Sequence, residues 1–164
     1  PHVPLAVVAA EDQKFPNHFG FDLESIAEAH EENRTRRRPR GASTITQQVA
    51  KNLYLWPGRS YFRKGLEAYF ALLLELLWSK RRILEVYVNI AEFGPNIYGV
   101  GAAAQTFWNT TPQHLTKRQA ALLAAVLPSP KRLRADSPSA YVEQRVGWIL
   151  TNMRQLGPSY LNDL

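Results

Sequence analysis

The sequence predicts a mainly α-helical single domain over residues 1–164. Three observations carry this expectation. Apolar residues recur at helical spacing through most of the chain, Ser, Thr and Asp stand where helices would start, and no alternating polar–apolar run suggests a strand ladder. A length of 164 residues with 45% hydrophobic content is enough for one core and does not suit a disordered chain.

The elements follow in order. Asp22 opens a helix over about 22–33, its carboxylate serving free N–H groups. The Arg-rich stretch with Pro39 and Gly41 is a loop. Thr44 and Gln47 have capping-box spacing, and a helix runs from there to about Leu55, where Pro57 and Gly58 break it. A long helix covers about 61–78. The next covers about 81–92, with Ile83, Leu84, Tyr87, Val88 and Ala91 at helical spacing. Residues 93–101 read as a Gly/Pro/Asn loop, followed by a short helix over about 102–108. Thr116 and Gln119 form a second capping box, opening an Ala/Leu helix that Pro128 ends. Ser137 and Pro138 start a last helix, and Gly157 closes it.

Composition narrows the function. There are 20 Lys+Arg against 14 Asp+Glu, so the net charge is +6. Arg34, Arg36, Arg37, Arg38 and Arg40 account for nearly all of the excess. One basic segment, expected to be mobile without ligand, therefore points to an acidic partner: nucleic acid, anionic lipid or a phosphorylated substrate. The absence of Cys excludes disulfides, a Cys-based zinc site and a thiol nucleophile. The four His lack metal-ligand spacing, and no dedicated metal site is expected. The longest apolar run, 68–78, is interrupted by Glu75 and is too short to cross a bilayer; no signal-peptide pattern is visible.

Three segments could carry chemistry. Glu11 and Asp12 follow the apolar run Val7-Val8-Ala9-Ala10, with Phe15 and His18 close behind. A carboxylate there is partly desolvated, which raises its pKa and suits a general base; the same residues also suit an acidic helix end or turn. In Gly41–Asn52, Thr44, Gln48 and Lys51 fall within about 60° on a helical wheel. Ile45, Val49, Leu53 and Trp56 form the apolar stripe expected to enter the core. The start of that helix suits a phosphate, or is simply a well-capped surface helix. Arg63 and Glu67 stand one turn apart, as an ion pair or as a functional carboxylate bordering the buried stripe Phe70, Ala71, Leu74 and Trp78. Glu75 raises the same question without a separate function. Glu85, Asn89 and Glu92 suit helix-capping or inter-helix bonds, and Gly99-Val100-Gly101 is a weak dinucleotide signal.

Together these segments resemble the family 51 glycosyltransferases, the peptidoglycan glycosyltransferases. Glu11-Asp12 through Phe15, His18, Gly20 and Asp22 is similar to that family's first motif, and Gly41 through Leu53 to its second. Arg63-Lys64 with Glu67-Ala68 resembles the third. Arg82 through Asn89, then Gly94, Tyr98-Gly99 and Gly101 to Ala104, resembles the fourth, and Ala121 through Pro128 the fifth. Ala42 stands where Gly is usual, and Pro128 where some members carry Lys. The chain is most similar to the monofunctional biosynthetic members.

The resemblance implies a lysozyme-like helical fold and polymerisation of lipid II into β-1,4-linked glycan, inverting, with undecaprenyl diphosphate as leaving group. It implies that Glu11 is the general base and Glu67 the second catalytic carboxylate. Lys51 and Arg63 would bind phosphate, and Asp12, Phe15, His18, Ser43, Thr44, Gln48 and Asn52 would shape the substrate cleft. It implies no required cofactor, with Mg²⁺ or Mn²⁺ able to assist the diphosphate. The implied setting is the periplasmic side of the bacterial inner membrane, with an anchor upstream of Pro1, an apolar patch on the membrane and other cell-wall synthesis or division proteins as partners. A lysozyme-like hydrolase also uses two carboxylates. A nucleic-acid module would use Arg34–Arg40 and leave both glutamates idle, so no nucleic-acid partner is expected.

Overall fold

The computed structural model describes residues 2–35, 42–58, 60–162 and 164. Its helices are α1 (His2–Glu11), α2 (Leu23–Asn33), α3 (Ile45–Tyr54), α4 (Tyr61–Leu77), α5 (Lys80–Ile90), α6 (Gly99–Trp108), α7 (Lys117–Val126) and α8 (Ala140–Leu156). Short 3-10 turns lie at Phe15–Asn17 and Pro112–His114. The mainly α-helical expectation therefore holds among the described residues.

The core forms around two helices that are apolar almost all round. Val3, Ala6, Val7, Val8 and Ala9 of α1 are buried, as is every residue of α7 from Ala120 to Val126. Such helices belong in an interior. Here α1 packs on α7, α8 and α5, while α3 packs on α4 and α5. The small Ala side chains let α1 and α7 approach closely. Tyr87, Phe15, Phe93, Ile45, Ile83, Leu123 and Ile149 fill the remaining space.

Local capping fixes the helix starts. Asp22 accepts from Ser25 N–H, and Thr44 and Thr116 each form the full capping box with Gln47 and Gln119. Ser60, Ser79 and Ser139 cap α4, α5 and α8. The last helix thus starts after Ser139 rather than at Ser137–Pro138.

The apolar run before Glu11 is a helix that ends at Glu11, and its extensive burial leaves no amphipathic period to read. Two further corrections concern segments with weak local patterns. The expected loop at 93–101 contains a small antiparallel hairpin, β1 (Glu92–Gly94) with β2 (Ile97–Tyr98), turning through Asn96 at φ 60°. Leu53 and Trp56 do not enter the core: both are exposed, because α3 ends at Tyr54 and the stripe runs off the packed surface.

Gly99 opens α6 directly from β2, at φ 80°. A Cβ there would stand 2.5 Å from the Asn89 carbonyl oxygen. Close helix packing therefore explains this glycine without a dinucleotide. Gly99→Ala should cost about 1–3 kcal/mol from the backbone alone, before the clash is added. Urea unfolding checks this.

Candidate active site

The site begins where α1 ends. Glu11 is the last residue of α1 and Asp12 follows it, so the chain delivers two adjacent carboxylates from a buried helix. They face different partners. The buried Asp12 carboxylate accepts from His18 Nε2 at 2.8 and 2.9 Å and from the Ile45 N–H at 3.0 Å. Nε2 faces both oxygens and is therefore the protonated nitrogen; Nδ1 is buried without a partner among the described residues. Asp12 thus sits on the first amide of α3, where a negative charge is favoured.

This arrangement alters the phosphate expectation. The α3 start is filled from within the protein: Asp12 takes the Ile45 N–H, and the Thr44 hydroxyl takes the Gln47 N–H. Thr44 also donates to the Gly20 carbonyl at 2.6 Å. The polar helix face turns instead toward Glu11. Gln48 Nε2 donates to Glu11 Oε2 at 3.0 Å, and the Tyr87 hydroxyl donates to Gln48 Oε1 at 2.8 Å. The acceptor-only carboxylate takes the amide's NH₂, which leaves Gln48 Oε1 to accept from Tyr87. On the other side, Arg145 of α8 lies 3.4 Å from Glu11 Oε1.

Burial raises the Glu11 pKa, and the neighbouring Asp12 charge adds to the rise; the Gln48 bond, Arg145 and Lys51 act in the opposite direction. Burial also pushes the Tyr87 hydroxyl well up, aided by the charges of Glu11 and Asp12, so it remains a donor.

A cleft of about 260 Å³ opens over these groups. Glu11, Asp12, Ser43 and Thr44 line it, with Ala42 and Trp148 among the other walls. Gln48 reaches it through Glu11, and Lys51 is near enough to bias the Glu11 titration. Phe15 is fully buried and His18 nearly so, their rings edge to face at 6.2 Å; they stand behind Asp12. Asn52 is exposed further along α3.

Glu67 and Arg63 lie on α4, outside the walls of this cleft. Glu67 is buried beside Ala71 and Leu74, as the stripe predicts. Its ion-pair partner is Lys64, at 2.6 Å, rather than Arg63. Lys64 also reaches Ser43 Oγ at 3.5 Å, linking this carboxylate to the cleft wall. Arg63 Nε is buried without a hydrogen-bond partner among the described residues.

Glu75 is structural. Its Oε1 accepts from Thr46 Oγ1 at 2.6 Å and from Lys80 Nζ at 2.7 Å, while Lys80 also stands 4.5 Å from the Phe15 ring centroid. Glu85, Asn89 and Glu92 make local bonds rather than inter-helix ones: Glu85 with Arg82, Asn89 to the Glu85 carbonyl, and Glu92 to the Asn96 N–H. Of the basic segment, Arg34 pairs with Glu31 at 3.4 Å. The remainder, with the expectation of mobility attached to Arg34–Arg40, lies outside the described residues. Arg145, Trp148, Lys64 and Tyr87 are the site residues that sequence reasoning missed. Lys64 and Tyr87 lie within the third and fourth motifs but were given no site role, Tyr87 being assigned to the core; Arg145 and Trp148 carried no local signal.

A desolvated carboxylate at a polar cleft, beside a helix carrying Gln48 and Lys51, has the chemistry that proton transfer requires. Residues 1–154 match the family described as Transglycosylase, and the chain belongs to that family. It is 59% identical over 162 residues to the biosynthetic peptidoglycan transglycosylase of Xanthomonas campestris pv. campestris strain B100, covering 98% of this chain and 66% of the relative. The enzyme of the same name from Pectobacterium carotovorum strain PC1 is 60% identical over 158 residues, covering 96% and 65%. That from Shewanella oneidensis strain MR-1 is 56% identical over 157 residues, covering 96% and 67%. The chain therefore spans about two thirds of the length of these curated relatives.

The raised Glu11 pKa has a stability consequence. Folding disfavours the ionised form, so this group's contribution falls as pH rises from the ordinary 4.5 through the raised value. Glu11→Gln, which mimics the neutral form, should melt at a higher temperature than wild type at pH 7. The gap should close in acid, and thermal melts across pH check both.

Proposed function

We propose that this domain is a peptidoglycan glycosyltransferase that polymerises lipid II into β-1,4-linked glycan strands with inversion. The observation that carries the proposal is Glu11: a carboxylate with a raised pKa, held by Gln48 and facing a cleft in a member of the transglycosylase family. In this reading the donor is a growing glycan on undecaprenyl diphosphate, and the acceptor is the 4-hydroxyl of the lipid II GlcNAc. Glu11 takes the hydroxyl proton while the oxygen bonds to the donor's anomeric carbon. The bond from that carbon to the diphosphate breaks, and the electron pair leaves on phosphate oxygen. Positioned proton removal contributes about 10²–10⁴-fold.

Lys51 and Arg63 then serve the departing diphosphate through their positive charge. Glu67 acts beside it through Lys64, which it holds toward Ser43. Asp12, Phe15, His18 and Thr44 keep the cleft in shape, with Ser43 at its wall and Asn52 further out along α3. A resident metal fits poorly: among the described residues no three His, Asp or Glu side chains group to hold one, and Glu67 is occupied by an ammonium. Mg²⁺ or Mn²⁺ would instead arrive on the substrate's diphosphate.

The proposed setting is the periplasmic face of the bacterial inner membrane, with other cell-wall synthesis or division proteins nearby. Among the described residues no helix is long and apolar enough to cross a membrane. An exposed apolar stripe supports contact with the membrane surface. Phe62, Tyr69 and Leu76 of α4 fall within about 40° of one another and are exposed; Tyr61, Leu53, Tyr54 and Trp56 are exposed as well.

Glu11→Gln should lower lipid II polymerisation by at least about 10²-fold. Full activity in this variant would overturn the role of Glu11. Release of reducing ends from preformed glycan without lipid II would support a hydrolase instead. Replacing Phe62, Tyr69 and Leu76 together by Ser should abolish binding to phosphatidylglycerol vesicles and leave the melting temperature near wild type, as vesicle sedimentation and thermal melts would show.

A further inference from the structure

We propose that Arg145 is the positioning residue of the base: it aims Glu11 Oε1 into the cleft and marks that oxygen as the one that receives the acceptor's proton. This deepens the reading of Glu11 given above and rests on it.

The two carboxylate oxygens are held unequally. Oε2 takes a direct 3.0 Å bond from Gln48, whose amide is itself fixed by Tyr87. Oε1 has a 3.4 Å contact with Arg145, at the outer limit of hydrogen bonding. A carboxylate oxygen with a short fixed donor is poorly placed to accept another proton. The oxygen with a loose ionic neighbour keeps a lone pair available.

The Arg145 geometry is unlike that of a surface staple. Arg134 grips Asp136 through two nitrogens, at 3.1 and 2.7 Å, with its own side chain largely exposed. Arg145 instead touches Glu11 through one nitrogen, its side chain is 22% exposed, and its Nε is buried without a partner among the described residues. It therefore supplies charge and direction without closing the fork that would block the oxygen. Its helix shares the site: Trp148, less than one turn further along α8, forms part of the cleft wall.

The charged and titratable groups around Glu11 divide by element. Asp12 follows it in the chain, Lys51 comes from α3, Tyr87 from α5 and Arg145 from α8. Asp12 opposes ionisation, and the Tyr87 hydroxyl reaches Glu11 through Gln48. Lys51 is also needed by the leaving diphosphate. Arg145 contacts Oε1 from α8 rather than from α3, so it can hold the base anionic while Lys51 turns to substrate. When Oε1 accepts the hydroxyl proton, the attraction between the Arg145 guanidinium and the now neutral carboxyl drops.

The test uses Arg145→Gln and Arg145→Lys in this chain, with two readouts. The first is the titration of the Glu11 carboxyl by carbon-13 NMR, which needs no substrate. The second is lipid II turnover against pH. Arg145→Gln should move the Glu11 midpoint and the acid limb of the rate profile upward. Its kcat should fall about 10- to 10²-fold, with KM little changed. Arg145→Lys should keep the midpoint near wild type and recover part of kcat, which also serves if the Gln variant fails to fold. An unmoved midpoint in the Gln variant, or equal loss of kcat in both variants without a shifted limb, would overturn the proposal. If wild type fails to polymerise lipid II, the functional reading falls, while the titration still decides whether Arg145 controls Glu11.

Discussion

The bond from the Ile45 N–H to the Asp12 carboxylate governs the rest of the site. It joins residues 33 positions apart and places the first turn of α3 against the end of α1. Once α3 starts there, Gln48 falls one turn later beside Glu11, and Lys51 follows within electrostatic reach. The same carboxylate holds His18, and Thr44 holds Gly20, so the loop after α1 is folded onto the start of α3. Asp12 thus spends its charge on geometry and leaves Glu11 free for chemistry. Two adjacent acids with opposite environments can hold opposite roles.

Around this joint, buried charge is paired with care. Glu75 receives Thr46 from α3 and Lys80 at the start of α5, tying α3, α4 and α5 together. Lys80 also lies over Phe15, so the loop behind the site is clamped from below. Removing one member of such a set leaves an uncompensated charge in the interior, which is costly. Glu11 is treated differently: its pKa is raised despite Gln48, Arg145 and Lys51, and part of its desolvation remains unrelieved. That residual cost is what a base requires.

Features set by nearby residues were legible in the sequence. Both capping boxes, the Asp22 cap and the helices over α3, α4, α5 and α7 depend on contacts three or four residues apart. The end of an apolar run also marked the Glu11-Asp12 pair as a place for a desolvated carboxylate, and the family resemblance singled out Glu11. Features set by distant packing were not legible. Helix α1 is buried on all sides and shows no period, and the hairpin at 92–98 is too short to alternate. The partner of Glu67 was a choice between neighbouring cations, and tertiary context selected Lys64 over Arg63. Arg145 lies 134 positions from Glu11, and no local pattern links the two.

The most direct measurement of this account is amide hydrogen exchange at Ile45 in an Asp12→Ala variant, read alongside lipid II polymerisation. The account predicts that protection collapses over the first turn of α3, remains in α7 and α8, and that polymerisation is lost with it. An Ile45 amide as protected as in wild type, in a variant that still polymerises lipid II, would contradict it.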